Sequence, residues 1–315
     1  MILSVSHIDL DGIGCQIVLN KFYKNTTNMN INYDKIDEYF YIIDDFIYNH
    51  KTEIVYITDL SFSILQLEKL NDLAIKHFDV NFYFIDHHPY EDYSHILRPN
   101  NLKIFISNKA SATLLTYKFI SHKFKIKYKE LEEFISYINA YDIWLQNKKE
   151  FKGGLVFNET FWHLKLKQFY FRYKDNFKLR NSDKEYYKEM LLKKTNYWIK
   201  AEKQGKIFKQ KNRIFMVIGE DYQSYIQLDF PNYKAYIILT SYGKTSIRFV
   251  GDEFTDGILT KKIIKEMEKH PLISNIGGHN KAFAMSLKEN SSSNQANIAK
   301  YILNLIDKKL EEIGI

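Results

Sequence analysis

The sequence predicts an α/β protein: a parallel sheet with helices on both faces, a helical connector, and a smaller C-terminal α/β domain. Three observations lead there. The first half alternates short apolar runs with amphipathic stretches. The second half holds several runs rich in β-branched and aromatic residues. The chain has 315 residues, 45% of them hydrophobic, which is enough for two ordinary domains.

Taken in order, residues 2–6 (ILSVS) read as a short buried strand and 12–24 as a helix. A strand-like run at 29–34 precedes helical patterning over 39–49. Strand 53–58, helix 64–78 and strand 80–86 follow, and such alternation implies a parallel sheet. Amphipathic helices are expected over 111–123 and 129–141. Residues 151–205 are helically patterned and heavily charged, with no proline and no glycine cluster beyond Gly153–Gly154, and read as a helical connector. Strands at 213–219, 235–241 and 245–251, a helix at 257–269, the pair Gly277–Gly278, a small serine loop at 291–293 and a closing helix at 297–312 make the second domain.

Composition limits the function classes. No run of about 18 apolar residues exists, so no membrane span is expected. The opening MILSVSHIDLDG lacks a basic segment, and its apolar stretch is interrupted by His7, Asp9 and Asp11, so it does not read as a secretory signal. A single cysteine, Cys15, excludes an internal disulfide and fits a reducing, cytoplasmic setting. The net charge is +7 and is uneven: residues 144–213 hold nineteen Lys and Arg against seven Asp and Glu. That stretch suits a polyanionic substrate, although a solvated surface built from a Lys-rich, Pro-poor composition reads the same way.

Four motifs carry acids and histidines. Ser6-His7-Ile8-Asp9-Leu10-Asp11-Gly12 follows the first strand, and period-two spacing sends His7, Asp9 and Asp11 to one side if the chain stays extended. Taken alone, Asp9 and Asp11 also fit a turn and a helix start. Thr58-Asp59-Leu60-Ser61 ends the third strand, where Asp59 also fits a helix cap. Asp86-His87-His88-Pro89 ends the next strand and is harder to explain by structure. Adjacent histidines point differently, so one can bind a metal while the other faces substrate, and Pro89 restricts His88. Asp142, in Ala140-Tyr141-Asp142-Ile143-Trp144, ends a helical stretch, where an acid is disfavoured by the helix dipole. Three successive strands thus deliver acids or histidines to the carboxyl edge of a parallel sheet, where ligands bind. Seven candidate groups there fit two cations better than one, and imidazole with carboxylate favours a transition metal over calcium. Two ions about 3.5–4 Å apart suit phosphoryl chemistry.

With these motifs in hand, the chain resembles the DHH phosphoesterases, through SHIDLDG (6–12), TDLS (58–61), IDHHP (85–89), SATLL (111–115) and AYDIW (140–144). Ser274 to Ala282 (SNIGGHNKA) resembles the glycine-rich, histidine-containing substrate loop of the DHH-associated domain, with Asn275 and Ile276 where the family usually carries further glycine. Thr245 to Phe249 resembles the strand that offers an arginine to substrate. The resemblance implies a DHH catalytic domain over 1–150, a basic helical connector over 151–210, and a DHH-associated substrate-binding domain over 211–315. It implies two manganese ions, with magnesium or cobalt as alternatives. His7, Asp9 and Asp59 would hold one, and Asp11, Asp59, His87 and Asp142 the second, with Asp59 bridging. Asp86 would orient the site, His88 would sit beside the scissile phosphate, and Arg248, Gly277, Gly278 and His279 would bind substrate. Bidentate bonding suits Arg248 to phosphate; a strand-edge charge and a turn histidine are the plainer readings of Arg248 and His279. Ser111-Ala112-Thr113 reads as a helix start, and Cys15 as packing.

The overall resemblance is to the nano-RNase (oligoribonuclease) members. It implies hydrolysis of short oligoribonucleotides to nucleoside 5′-monophosphates through a metal-bridged hydroxide, with short single-stranded RNA or a dinucleotide as substrate. A phosphodiesterase acting on cyclic (di)nucleotide signals and a non-catalytic nucleotide-binding protein are the alternatives. A RecJ-type exonuclease is disfavoured because the chain lacks room for that group's additional domains.

Overall fold

The structure is a computed structural model, which describes residues 1–88, 98–204, 207–211, 213–219, 233–240, 244–251, 254, 256–288 and 295–315. Pro89, Ser241 at the end of one expected strand, and the serine loop 291–293 lie outside the described residues. The chain divides into two compact units, Met1–Glu185 and Tyr186–Ile315.

The first unit is built on strands β1 (Ile2–His7), β2 (Thr26–Ile31), β3 (Ile54–Thr58), β4 (Asn81–Asp86) and β5 (Leu102–Ile106), all parallel, in the order β2-β1-β3-β4-β5. Alternate side chains of the central strands go to opposite faces. Tyr56, Tyr83 and Ile85 pack on one face against helices α1 (Leu10–Phe22), α4 (Ala112–Phe124), α5 (Lys129–Asp142) and α6 (Glu150–Tyr173). Leu3, Val5, Val55, Ile57, Phe82 and Phe84 pack on the other against α2 (Ile36–Asn49) and α3 (Ile64–Lys76). Burial on both faces is why these strands are continuous apolar runs, each large side chain contributing about 1.5–3 kcal/mol of transfer free energy. Helix starts follow the side chains available: Asp9 caps α1, Ser63 with Gln66 forms a capping box on α3, and Ser111 caps α4. Within the stretch read as a connector, Phe157, Phe161, Phe169, Tyr173 and Phe177 join the core of this first unit.

The second unit has a six-stranded mixed sheet in the order β10-β11-β9-β8-β7-β6. Its strands are β6 (Ile207–Gln210), β7 (Ile214–Gly219), β8 (Ala235–Thr240), β9 (Lys244–Phe249), β10 (Ile273–His279) and β11 (Ala282–Leu287). Only β7 and β8 pair in parallel; the other neighbours are antiparallel. Helices α8 (Ile258–Glu268) and α9 (Gln295–Glu312) bury Ile263, Met267, Ile302 and Ile306 against Ile237, Ile247 and Phe249. A further helix, α7 (Asn181–Lys203), precedes this sheet, and its Tyr197 packs near Phe215, Tyr236 and Ile238 on the other face. Among the described residues no helix is long and apolar enough to cross a membrane. The predicted α/β class with a parallel sheet and a smaller second domain is the one observed. Strands β5, β6, β10 and β11 were not expected from the sequence.

Candidate metal centre

In the first sheet the strand order reverses at β1. The chain leaves β1 for β2 on one side and later returns to β3 on the other. The carboxyl ends of β1, β3 and β4 are therefore adjacent at a topological switch point, the place where open parallel sheets form crevices.

β1 ends at His7 and does not continue extended; the turn at Asp9 and helix start at Asp11, the alternative reading of the motif, form instead. Asp9 turns the chain by capping α1, its Oδ1 accepting from the Gly12 amide at 2.9 Å, and Asp11 enters the first helical turn. The turn, rather than strand alternation, brings the three groups together. Gly12 makes it possible, since a Cβ there would lie 2.3 Å from the His7 carbonyl oxygen. His7 Nδ1 lies 2.9 Å from Asp9 Oδ2. Burial opposes the His7 imidazolium, but the Asp9 carboxylate outweighs it and holds the ring's pKa above the ordinary value. Burial likewise works against the Asp9 carboxylate, and the His7 partner reverses that, leaving Asp9 well below the usual range.

Asp11 is buried, and the first turn of α4 holds it. The amides of Ala112 and Thr113 donate to its Oδ2 and Oδ1 at 2.7 and 3.0 Å, and Thr113 Oγ1 donates to its carbonyl at 2.8 Å. The segment Ser111-Ala112-Thr113 is thus a helix start, as its composition indicated, and also an anchor for a site carboxylate at the positive end of a helix dipole. Asn139, on α5, fixes that end in turn, its Oδ1 accepting from the Ser111 amide at 2.9 Å.

Asp59 follows β3 with φ of 56°, a left-handed backbone that few non-glycine residues adopt. Its amide donates to Ile85 on β4, and its carboxylate is 1% exposed. Oδ1 lies 3.3 Å from His87 Nε2, while buried Oδ2 meets no hydrogen-bond donor among the described residues. His87 Nε2 also lies 3.3 Å from Asp142 Oδ2 and 3.7 Å from Asp11 Oδ2. Burial, then the neighbouring carboxylates Asp9, Asp11 and Asp142, push the Asp59 carboxyl well up; burial, then Asp11 and Asp9, do the same to Asp142. Asp86, fully buried at the end of β4, accepts from the His88 amide at 3.2 Å and faces His88 Nδ1 at 2.9 Å.

Three sets of donors each fall within 4.8 Å: His7, Asp9 and Asp59; Asp11, His87 and Asp142; and Asp59, Asp86, His87 and His88. All eight groups singled out in the first half of the sequence converge. Asp59 belongs to two sets and approaches His87 of the remaining one. Five carboxylates and three imidazoles in this space fit divalent cations, and the undonated Asp59 Oδ2 is the atom such an ion would satisfy. The sequence reading missed the end of β2. Asn30 donates to the His7 carbonyl at 3.2 Å, and Tyr33, in the turn beyond, stacks on His7 with ring centroids 4.3 Å apart and places its hydroxyl 3.2 Å from His88 Nε2. Partial burial of the hydroxyl end, then Asp59 and Asp9, raise the Tyr33 phenol above its ordinary pKa, while 39% of the residue's surface stays exposed. Neither residue carried an acidic or histidine signal that would have drawn attention.

In the second unit, Arg248 on β9 and His279 on β10 both pair in register with Ala282 of β11, from opposite sides. Gly277 precedes Gly278, whose φ of 150° and 2.4 Å approach of a built Cβ to the Ala282 carbonyl require glycine. The backbone therefore gathers the four predicted substrate-binding residues on neighbouring strands.

No protein-family model matches the chain. Among curated proteins, 163 residues, 48% of this chain, are 27% identical to a 3′,5′-cyclic-nucleotide phosphodiesterase of Helicobacter pylori, covering 46% of it. The chain thus spans about half the length of the curated relative it matches. Among solved structures, RecJ from Thermus thermophilus in complex with Mn2+ aligns with 96% of this chain and 52% of its own, at a TM-score of 0.52 and 11% identity. A pGpG-specific phosphodiesterase, PggH, from Vibrio cholerae aligns with 96% of this chain and 99% of its own, at a TM-score of 0.49 and 14% identity. The likeness to RecJ is one of fold.

Proposed function

We propose that this chain is a metal-dependent phosphodiesterase that hydrolyses short oligoribonucleotides or dinucleotides to nucleoside 5′-monophosphates. The observation that carries the reading is the meeting of five aspartates and three histidines at one switch point, with Asp59 shared between donor sets. His7, Asp9 and Asp59 would hold one ion, and Asp11, Asp59, His87 and Asp142 the other. The mixture of imidazole and carboxylate favours manganese, with magnesium or cobalt as substitutes. When bound, the ions supply Lewis-acid polarisation of the phosphoryl group and lower the pKa of the attacking water.

The protein's own groups do the rest. The α4 amides hold the Asp11 carboxylate in place. Asp86 pairs with the amide and Nδ1 of His88 and so fixes the ring beside the site, where it would meet the reacting phosphate. Arg248 offers bidentate hydrogen bonds to a phosphate, and the Gly277–Gly278 backbone, free of side chains, admits a base or phosphate closely. His279 would grip the same end of the substrate.

A second reading rests on the curated relative, whose name is 3′,5′-cyclic-nucleotide phosphodiesterase. The same centre can open a cyclic phosphodiester. One experiment separates the readings: purified protein with Mn2+ against pApA, a labelled RNA dinucleotide, a 3′,5′-cyclic mononucleotide and a cyclic dinucleotide, with products resolved. Mononucleotide from the linear substrates supports the first, and ring opening alone supports the second. Failure on all four, with manganese bound, would leave a nucleotide-binding protein without catalysis.

A further inference from the structure

Tyr33 begins the short 3-10 turn Tyr33–Lys35 that follows the edge strand β2, with its amide donating to Asn32 Oδ1 at 3.0 Å. Its ring contacts one site histidine and its hydroxyl another. The planes of Tyr33 and His7 are 33° apart at a centroid distance of 4.3 Å, and the hydroxyl lies 3.2 Å from His88 Nε2. The opposite nitrogen of His88 faces Asp86 Oδ1 at 2.9 Å. His88 is therefore held at both ring nitrogens. Nδ1 pairs with a carboxylate and Nε2 with a hydroxyl, which can either donate or accept.

We propose that Tyr33 is a positioning residue of this centre: a single side chain that sets the plane of the His7 imidazole by stacking and the direction of His88 Nε2 by hydrogen bonding. The inference rests on the phosphodiesterase reading and adds to it a residue from the turn after β2, outside the strands that supply the acids. Packing alone is a poor account of the residue. It keeps 39% of its surface exposed, so apolar burial offers little reason for a large aromatic there. Phenylalanine would keep the ring against His7 and lose the hydroxyl contact to His88 Nε2, and leucine would lose both; tyrosine meets both geometries. The partners of a ligating or reacting imidazole fix its tautomer and orientation, and their loss typically costs affinity or rate.

Two substitutions divide the roles. Tyr33→Phe keeps the ring and removes the hydroxyl; Tyr33→Leu removes both. Three measurements follow each: the 15N resonances of the imidazoles in metal-free protein, a Mn2+ titration, and kcat and KM on whichever probe the wild type hydrolyses. For Tyr33→Phe the His88 Nε2 resonance shifts from its wild-type position as the hydroxyl contact is lost. Its kcat falls about fivefold or more, KM stays within about twofold, and Mn2+ affinity is retained. For Tyr33→Leu, Mn2+ affinity also falls, by about tenfold, because the His7 ring loses its stacking partner. An unmoved Nε2 resonance and wild-type kcat in Tyr33→Phe would overturn the proposal, as would a Tyr33→Leu protein with undiminished Mn2+ affinity. If the wild type hydrolyses no probe, the phosphodiesterase reading fails by itself, and the resonance and the metal titration still decide the role of Tyr33.

Discussion

Asp59→Asn tests the crowding at the centre directly. Asparagine has the shape of aspartate and tolerates the φ of 56° that Asp59 adopts, so the backbone needs no rearrangement. What changes is one charge. In metal-free protein that charge is 1% exposed, has Oδ2 without a donor among the described residues, and is raised in pKa by burial and by Asp9, Asp11 and Asp142. Leaving a buried polar group unsatisfied costs about 1–3 kcal/mol, and more for a charged one. Asparagine keeps a buried polar group there but relieves the crowding against Asp9, Asp11 and Asp142, so the metal-free protein should gain stability of at most that order. A unit of this size gains about 2–4 °C in Tm per kcal/mol, so the variant should melt higher in EDTA by up to about 12 °C. Manganese reverses the order. At a hundred times Kd, each occupied site stabilises the wild type by about 2.7 kcal/mol, and both proposed sites use Asp59. Melting curves of both proteins in EDTA and in Mn2+ read the crossover. A variant that melts below the wild type in EDTA and gains as much from Mn2+ would refute both the crowding argument and the shared role of Asp59.

Three further outcomes are expected. Gly12→Ala places a methyl 2.3 Å from the His7 carbonyl and must distort the turn carrying His7, Asp9 and Asp11; Mn2+ affinity measured by titration should drop by more than about tenfold, with a Tm loss of several degrees. Asp86→Asn keeps the packing at the end of β4 but replaces the carboxylate paired with His88 Nδ1; kcat should fall by about ten- to a hundredfold while Mn2+ affinity changes little, as read by paired kinetic and binding measurements. Arg248→Ala should raise KM by about tenfold and leave the Mn2+ titration unchanged, since the proposed ligands all lie within the first unit; a change in metal affinity without one in KM would remove Arg248 from substrate binding.

Much of the catalytic half was legible because burial on both faces writes an unmistakable pattern. β3 and β4 each carry four consecutive apolar residues, β1 is buried along residues 2–6 with its two serines, and each strand ends in or is followed by an acid or histidine. β5 is an edge strand whose side chains alternate between buried Leu102 and exposed Phe105, a weaker signal in five residues. β10 hides behind Gly277 and Gly278, residues with poor strand propensity that read as a loop, and β6 is four residues inside a basic stretch. The donors of the centre could be named from their positions after strands, but the means of their convergence could not. Spacing encodes only local geometry: it allowed an extended His7–Asp11 segment or a turn at Asp9 with a helix start at Asp11, and the structure adopts the latter. Asp11 is fixed by amides 101 and 102 positions away, and Asp59 by a left-handed backbone that an aspartate does not announce. Tyr33 and Asn30 reach the histidines only because β2 lies beside β1, a consequence of strand order that no periodicity contains. The division follows from physics: hydrophobic pattern specifies which element forms and which face it buries, whereas the polar network is set by contacts between elements, whose partners become definite only once the sheet has ordered its strands.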